Sequence, residues 1–300
     1  MMEPGGGNHM VGDKTWSGRL FNGVNMVLLG LIGLATVLPF VHVFGSSFAT
    51  AGEIASKKFL LVPTEFTLDA YRYIFSTSTL PKAMLVSLGV TAAGTLWSML
   101  ISVLTAYGLS RKDLMGRNGI MFLFVFTMLF NGGMIPTFLV VKETGLLDSY
   151  LSLIVPVSIN VFNMIILKTF FQGLPDALEE SAKIDGSNDV GILFRIIIPC
   201  SLPAIATISL FYAVTYWNTY MHAVLYLSDA GKWPVQVLLR QIIVLASGLS
   251  YDNAVYTDAP PPSQAVKMAV IVVATLPVLV VYPFLQKHFA KGALLGSVKA

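Results

Sequence analysis

KAMLVSLGVTAAGTLWSMLISVLTAYGLS, the stretch Lys82–Ser110, reads as one apolar rod that ends against the basic pair Arg111-Lys112. The hydrocarbon core of a bilayer is about 30 Å thick and takes about 20 mostly apolar helical residues to cross. This stretch supplies that length with no charge after Lys82. Ser87, Thr91, Thr95, Ser98, Ser102 and Thr105 recur along it at intervals of three and four, which places them on one helical face, and Gly94 adds room beside them. A stripe of that kind points to close helix packing ahead of pore lining.

Five more runs of similar character lie on either side, at Phe21–Phe48, Asn118–Val141, Tyr150–Phe171, Leu202–Leu227 and Ala265–Leu285. The expected fold is all-α, a polytopic membrane protein of six transmembrane helices. The first run follows Lys14 and Arg19, as a secretory signal would, but Phe21–Phe44 exceeds the roughly 7–15 apolar residues of a signal core. The whole composition agrees, with 55% hydrophobic residues, 12% charged residues and a mean hydropathy of +0.73, against about 25% charged in an average soluble domain. A net charge of +3 without a basic run gives no footing for nucleic acid. The single Cys200 rules out an internal disulfide and lacks a histidine partner motif for nucleophilic work. The spans carry almost no ionisable groups, which argues against a membrane-embedded enzyme, and no catalytic residue is assigned.

Short loops set the orientation, because Lys and Arg accumulate on the cytoplasmic side. Arg111, Lys112 and Arg117 place the loop after the second span inside, and Lys142–Ser149, with Glu143 and Asp148, faces outward. Both termini then lie in the cytoplasm. Residues 1–20 read as a flexible tail, 21–286 as the membrane domain and 287–300 as a second cytoplasmic tail. The outer segments are Ala49–Pro81, where Lys57, Lys58 and Arg72 strain the charge rule, and Ser228–Gln264, where Pro260–Pro262 turns the chain back.

The cytoplasmic connection 172–199 is polar yet patterned. Pro175 suits a first helical position, Asp176, Glu179 and Glu180 oppose the dipole of the opening turns, and Glu179 stands four residues before Lys183 in the favourable order. Asp185-Gly186 signals a turn, and Val190–Ile198 resumes a helical pattern. The result is a helix-turn-helix. Leu178, Ser181, Ala182 and Asp185 share one face of its first helix, where small side chains admit a close partner. The chain has no Gly-x-x-x-x-Gly-Lys-Ser/Thr, so energy from a nucleotide has to come through such a partner.

This connection resembles the EAA loop of binding-protein-dependent ABC importer permeases, with Glu180-Ser181-Ala182 in place of Glu-Ala-Ala, Asp185-Gly186 at the matching position, then Phe194 and Ile198-Pro199. Phe130–Pro136, Trp217-Asn218 and the ending Phe289–Lys299 are similar to the carbohydrate, maltose-type branch. Asn131-Gly-Gly and Tyr226-Leu227 look closest to permeases for aldouronates and other complex polysaccharide fragments. The resemblance implies a type I importer permease fold in a bacterial cell membrane, in contact with lipid. It implies a second homologous permease subunit, an ATPase dimer that uses ATP and Mg, and an extracytoplasmic binding protein that delivers an oligosaccharide. It also implies docking of the ATPase on Leu178, Glu180, Ser181, Ala182, Asp185 and Gly186, and no cofactor or metal bound by this chain.

Polar groups at membrane depth mark packing or a path. Asn131, Asn163, Tyr216, Trp217, Asn218 and Tyr220 are candidates to line a sugar route. Asn160 fits an interhelical hydrogen bond better, and Trp217 and Asn218 stay balanced between the two readings. Pro39, Pro136, Pro156 and Pro277 mark expected kinks or unwound turns, and His222 reads as interfacial.

Overall fold

The structure, a computed structural model, describes residues 16–57, 59–246 and 264–297. Among them the chain is helical throughout, apart from one antiparallel bridge between Ala49 and Phe66. Three helices are long enough to cross a bilayer unbroken: α1 (Trp16–Ser47), α4 (Thr79–Ser110) and α15 (Gln264–Ser297). Pro39 lies within α1, and Pro277 and Pro283 within α15, without ending either helix. α15 runs on to Ser297, beyond the Leu285 at which the apolar run ends. Lys14, Pro260–Pro262, Lys299 and the first 15 residues lie outside the described residues.

The other three crossings are broken. In place of one rod at Asn118–Val141, α5 (Arg117–Leu129) and α6 (Met134–Glu143) meet at 116°. Asn131 Oδ1 accepts the Gly133 N–H at 2.8 Å, and Gly133 takes φ 87°, so the Asn-Gly-Gly sequence builds the elbow. α5 alone rises about 20 Å, short of the roughly 30 Å bilayer core, so the crossing needs the chain beyond the elbow.

The fourth crossing comprises α7 (Leu151–Ile154), a 3-10 turn at Val155–Val157 that contains Pro156, and α8 (Val161–Gln172), bent by 55°. The fifth is α12 (Leu202–Trp217), which stops ten residues short of the expected Leu227. Asn218 caps it and the chain restarts as α13 (Met221–Tyr226). A 3-10 turn at Ala230–Lys232 and the apolar helix α14 (Val235–Ala246) follow.

α4 is the central helix, packed on α8 and α12, while α15 packs on α12 and carries α1. The polar stripe of α4 holds this packing together. Ser98 Oγ meets Tyr216 OH at 2.7 Å, Ser102 Oγ meets Tyr212 OH at 2.7 Å, and Ser87 Oγ accepts the Val235 N–H at 2.8 Å. Gly94 is required here, since a Cβ would lie 2.7 Å from the Tyr216 ring. Tyr212 OH also accepts the Asn160 N–H at 2.9 Å, which satisfies the backbone where α8 begins, and Asn160 Oδ1 caps the same helix through Asn163 N–H at 3.1 Å. Asn160 is therefore the structural amide its sequence context indicated.

The connections between the crossings have their own clasps. Glu53 in α2 (Ala51–Ser56) accepts from Lys57 Nζ at 2.7 Å and from the Thr64 N–H at 2.8 Å, and these bonds lower its pKa to about 2. Asp148 takes φ 57°, an uncommon left-handed position for a residue with a side chain. Its carboxylate receives Lys232 Nζ at 2.6 Å and the N–H groups of Ser228 and Asp229 at 3.1 Å, which ties the α6–α7 turn to the segment after α13.

Tyr212→Phe removes a hydroxyl that serves two elements and is expected to cost about 1–2 kcal/mol, read as a lower unfolding temperature of the purified subunit in detergent. Thr91→Ala, on the same stripe, deletes a buried hydroxyl with no partner among the described residues and is expected to leave that temperature unchanged or raised.

Candidate functional site

α9 (Ala177–Ile184) stands on the side of the bundle that carries the α4–α5 loop. Asp176 occupies its N-cap position, so the helix opens two residues after Pro175, whose carbonyl accepts the Leu178 N–H. At its other end the Gly186 N–H reaches Lys183 O at 3.0 Å and the Ser187 N–H reaches Ala182 O at 2.9 Å. This is a Schellman stop, and it requires the left-handed φ of 80° that Gly186 adopts. Asn188 then caps α10 (Asp189–Ile192) through the Gly191 N–H at 2.8 Å, and a π turn at Leu193–Ile197 leads into α11 (Ile198–Cys200). α10 through α11 meets α12 at 86°.

Two ion pairs fix α9 to the end of α4. Arg111 pairs with Glu179, both side chains more than four-fifths covered, and the Arg111 guanidinium lies over the Tyr107 ring at 4.4 Å. Lys112 Nζ pairs with Asp176 at 2.8 Å, and this contact holds the Asp176 carboxyl below its ordinary 3.8. The expected Glu179–Lys183 pair does not form, because Glu179 turns inward to Arg111 while Lys183 borders the cleft of about 250 Å³ between α9 and the loop.

This anchoring sets the helical phase. Ala182 is buried against the protein's own core and is not on a free face as expected, whereas Glu180, Ser181 and Asp185 are exposed and Leu178 lies at the edge. The centre of the free face is Ile184, 86% exposed on an otherwise polar surface, with Val190 and Phe194 exposed beyond the turn. The spacing rule applied to Leu178 missed Ile184, although Ala177, Ser181 and Ile184 follow the same helical interval.

The path candidates separate into two groups. Asn163, Tyr216 and Trp217 are buried and corrected to packing roles. Asn163 lies in the α8 core, Tyr216 bonds Ser98 and Ile154 O, and Trp217 Nε1 donates to Ala274 O at 3.2 Å. Asn131 and Asn218 are exposed and Tyr220 is half-buried. His222 stacks on Tyr226 at 5.7 Å.

Residues 10–294 match the family of binding-protein-dependent transport system inner membrane components. The chain belongs to that family. Among its members, the polygalacturonan/rhamnogalacturonan transport system permease protein YtcP of Bacillus subtilis is 66% identical over 94% of this chain and 99% of its own length. The protein LplC of the same species is 52% identical over 95% of this chain and 97% of its own length. A crystal structure of a bacterial ABC transporter involved in import of the acidic polysaccharide alginate contains a chain that is 33% identical, with a TM-score of 0.84 over 92% of this chain and 98% of that one. The bundle described above is the type I importer permease fold, and this family member is a membrane permease.

The depressed pKa of Asp176 adds stability to the α9 anchor that is present above its ordinary 3.8 and is lost as pH falls through the lowered value. A carboxyl titration by NMR is expected to place its midpoint below 3.8, and Lys112→Met is expected to return it toward 3.8.

Proposed function

We propose that this permease is the membrane-spanning subunit of an importer driven by a separate ATPase dimer, and that it carries an oligosaccharide handed over by an extracytoplasmic binding protein. Its relatives by name serve polygalacturonan, rhamnogalacturonan and, for the solved structure, alginate. Polygalacturonan and alginate are uronic acid polymers, which favours an acidic oligosaccharide here. ATP and Mg act on the ATPase. This chain performs no bond chemistry, and its sequence lacks the phosphate-cradling loop.

The observation that carries the coupling role is Ile184, an apolar side chain held out at the last residue of a helix that is itself pinned to the bundle. Ile184, with Leu178, Glu180, Ser181 and Asp185 around it, enters a cleft of the ATPase, and Gly186 gives the turn that presents them. Ala182 acts from behind by seating the helix. Closure of the ATPase dimer pulls α9, and the Arg111–Glu179 and Lys112–Asp176 pairs pass the pull to the inner end of α4. The serine–tyrosine contacts of α4 with α12 then make those helices tilt as one body. The termini lie on the α9 side, in the cytoplasm. The exposed apolar surfaces of α1 and of α5–α6 meet lipid and the second, homologous permease.

The test is to break the transmission and leave the dock intact. Arg111→Ala is expected to cost about 1–3 kcal/mol of local stability, between a surface and a buried pair. In the reconstituted complex it should lower uptake by tenfold or more while ATP hydrolysis continues. The exchange Arg111→Glu with Glu179→Arg is expected to restore part of the coupling. Full uptake by Arg111→Ala contradicts the transmission route.

A further inference from the structure

Among the described residues, α12 leaves one face exposed. Phe211, Val214, Thr215 and Asn218 follow each other at helical spacing and are all exposed, whereas Ile208, Tyr212 and Tyr216 face α4 and Trp217 faces α15. Beyond the end of that face lies α14, which is amphipathic in a defined sense. Val235, Leu238, Leu239 and Ile242 pack inward against Ala265, Val266, Ala269 and Val270 of α15, while Arg240 and Gln241 are exposed.

Arg240, like Lys82 and Lys142, forms no ion pair among the described residues. Lys57 and Lys232 are committed to Glu53 and Asp148, and Arg72 lies near Asp69. Arg240 has no carboxylate partner among the described residues, and its guanidinium stands over the Tyr220 ring, 5.8 Å from the centroid. Tyr220 packs on the main core, so the ring gives the guanidinium a fixed seat. The guanidinium is exposed and seated near the end of the open α12 face. Two residues before Tyr220, Asn218 uses its Nδ2 on Val214 O at 2.8 Å and keeps its Oδ1 to accept from a hydroxyl.

We propose that Arg240, positioned by Tyr220, reads the carboxylate of a uronate residue as the oligosaccharide passes, with Asn218 accepting one of its sugar hydroxyls. Guanidinium and carboxylate match as a planar fork, a pairing that a neutral sugar cannot make. One such cation suits a path, since a passing ligand has to be held well enough to enter and weakly enough to leave. This assignment rests on the reading of the chain as an oligosaccharide permease and adds to it the chemical class and the residue that recognises it.

The test uses the complete importer in vesicles, with uptake of an oligogalacturonate and binding-protein-stimulated ATP hydrolysis measured side by side. Arg240→Gln is expected to lower uptake about tenfold or more, the change that loss of one charge-assisted pair brings, with stimulated hydrolysis unchanged. Arg240→Lys, which keeps the charge and loses the planar fork, should fall between the parent and Arg240→Gln. Tyr220→Ala, which removes the ring under the guanidinium, should fall between the parent and Arg240→Gln. Unchanged uptake by Arg240→Gln overturns the proposal. So does a joint fall of uptake and stimulated hydrolysis, which assigns Arg240 to a protein contact. If the parent complex imports neutral oligosaccharides and no uronate, the uronate assignment fails while the oligosaccharide reading stands. If it imports no oligosaccharide at all, the underlying reading fails.

Discussion

Lipid offers a backbone no hydrogen bond, so every point at which this chain leaves the helix inside the membrane has to be satisfied from within. Three such points decide the shape of the bundle. At the first, Asn131 folds back on Gly133 and the third crossing turns an elbow. At the second, Tyr212 reaches from α12 to the free amide of Asn160 while Asn160 caps α8. At the third, the Asn218 N–H stays with Val214 O as α12 ends. Asparagine and tyrosine at membrane depth thus serve the backbone first, and only those left on an open face remain available to a passing sugar.

The same hydroxyls account for mechanical unity. Tyr212 and Tyr216 bond serines of α4 one turn apart, and Gly94 lets the Tyr216 ring approach the α4 backbone. A force applied to one of these helices is carried by the other. At the inner end of α4 the Arg111–Glu179 pair supplies the handle, and its cover by Tyr107 and the adjoining loop removes it from the screening that weakens exposed ion pairs. α9 is a helix of eight residues, far too short to persist alone. It is stable because it is capped by the Gly186 stop and pinned along its inner face.

Much of this was legible beforehand because the signals are local. Apolar length placed the six crossings, Asp185-Gly186 announced the turn after α9, and the three-and-four spacing of Ser87 to Ser102 announced tight packing of α4. The breaks were harder to read, since an apolar run looks alike in a straight helix and a bent one. Even so, Asn131-Gly-Gly and the Asn160…Asn163 cap interval carried the information. Tyr216 was offered to the route and Trp217 left balanced because aromatic type does not say which way a side chain points. The four-residue steps Ala204, Ile208, Tyr212 and Tyr216 show the buried phase. Arg111–Glu179 joins residues distant in sequence, so no local pattern predicted it, and without it the free face of α9 was centred on Leu178 instead of Ile184.

The most direct measurement of the central claim is a site-directed crosslink from position 184. With Cys200 replaced by Ala and Ile184→Cys as the sole cysteine, a short bifunctional reagent is applied to the working complex in membranes. The account predicts capture of the ATPase subunit at high yield, with a yield that changes when ATP closes the dimer. Transport-competent complex that gives no ATPase adduct from this position would contradict it.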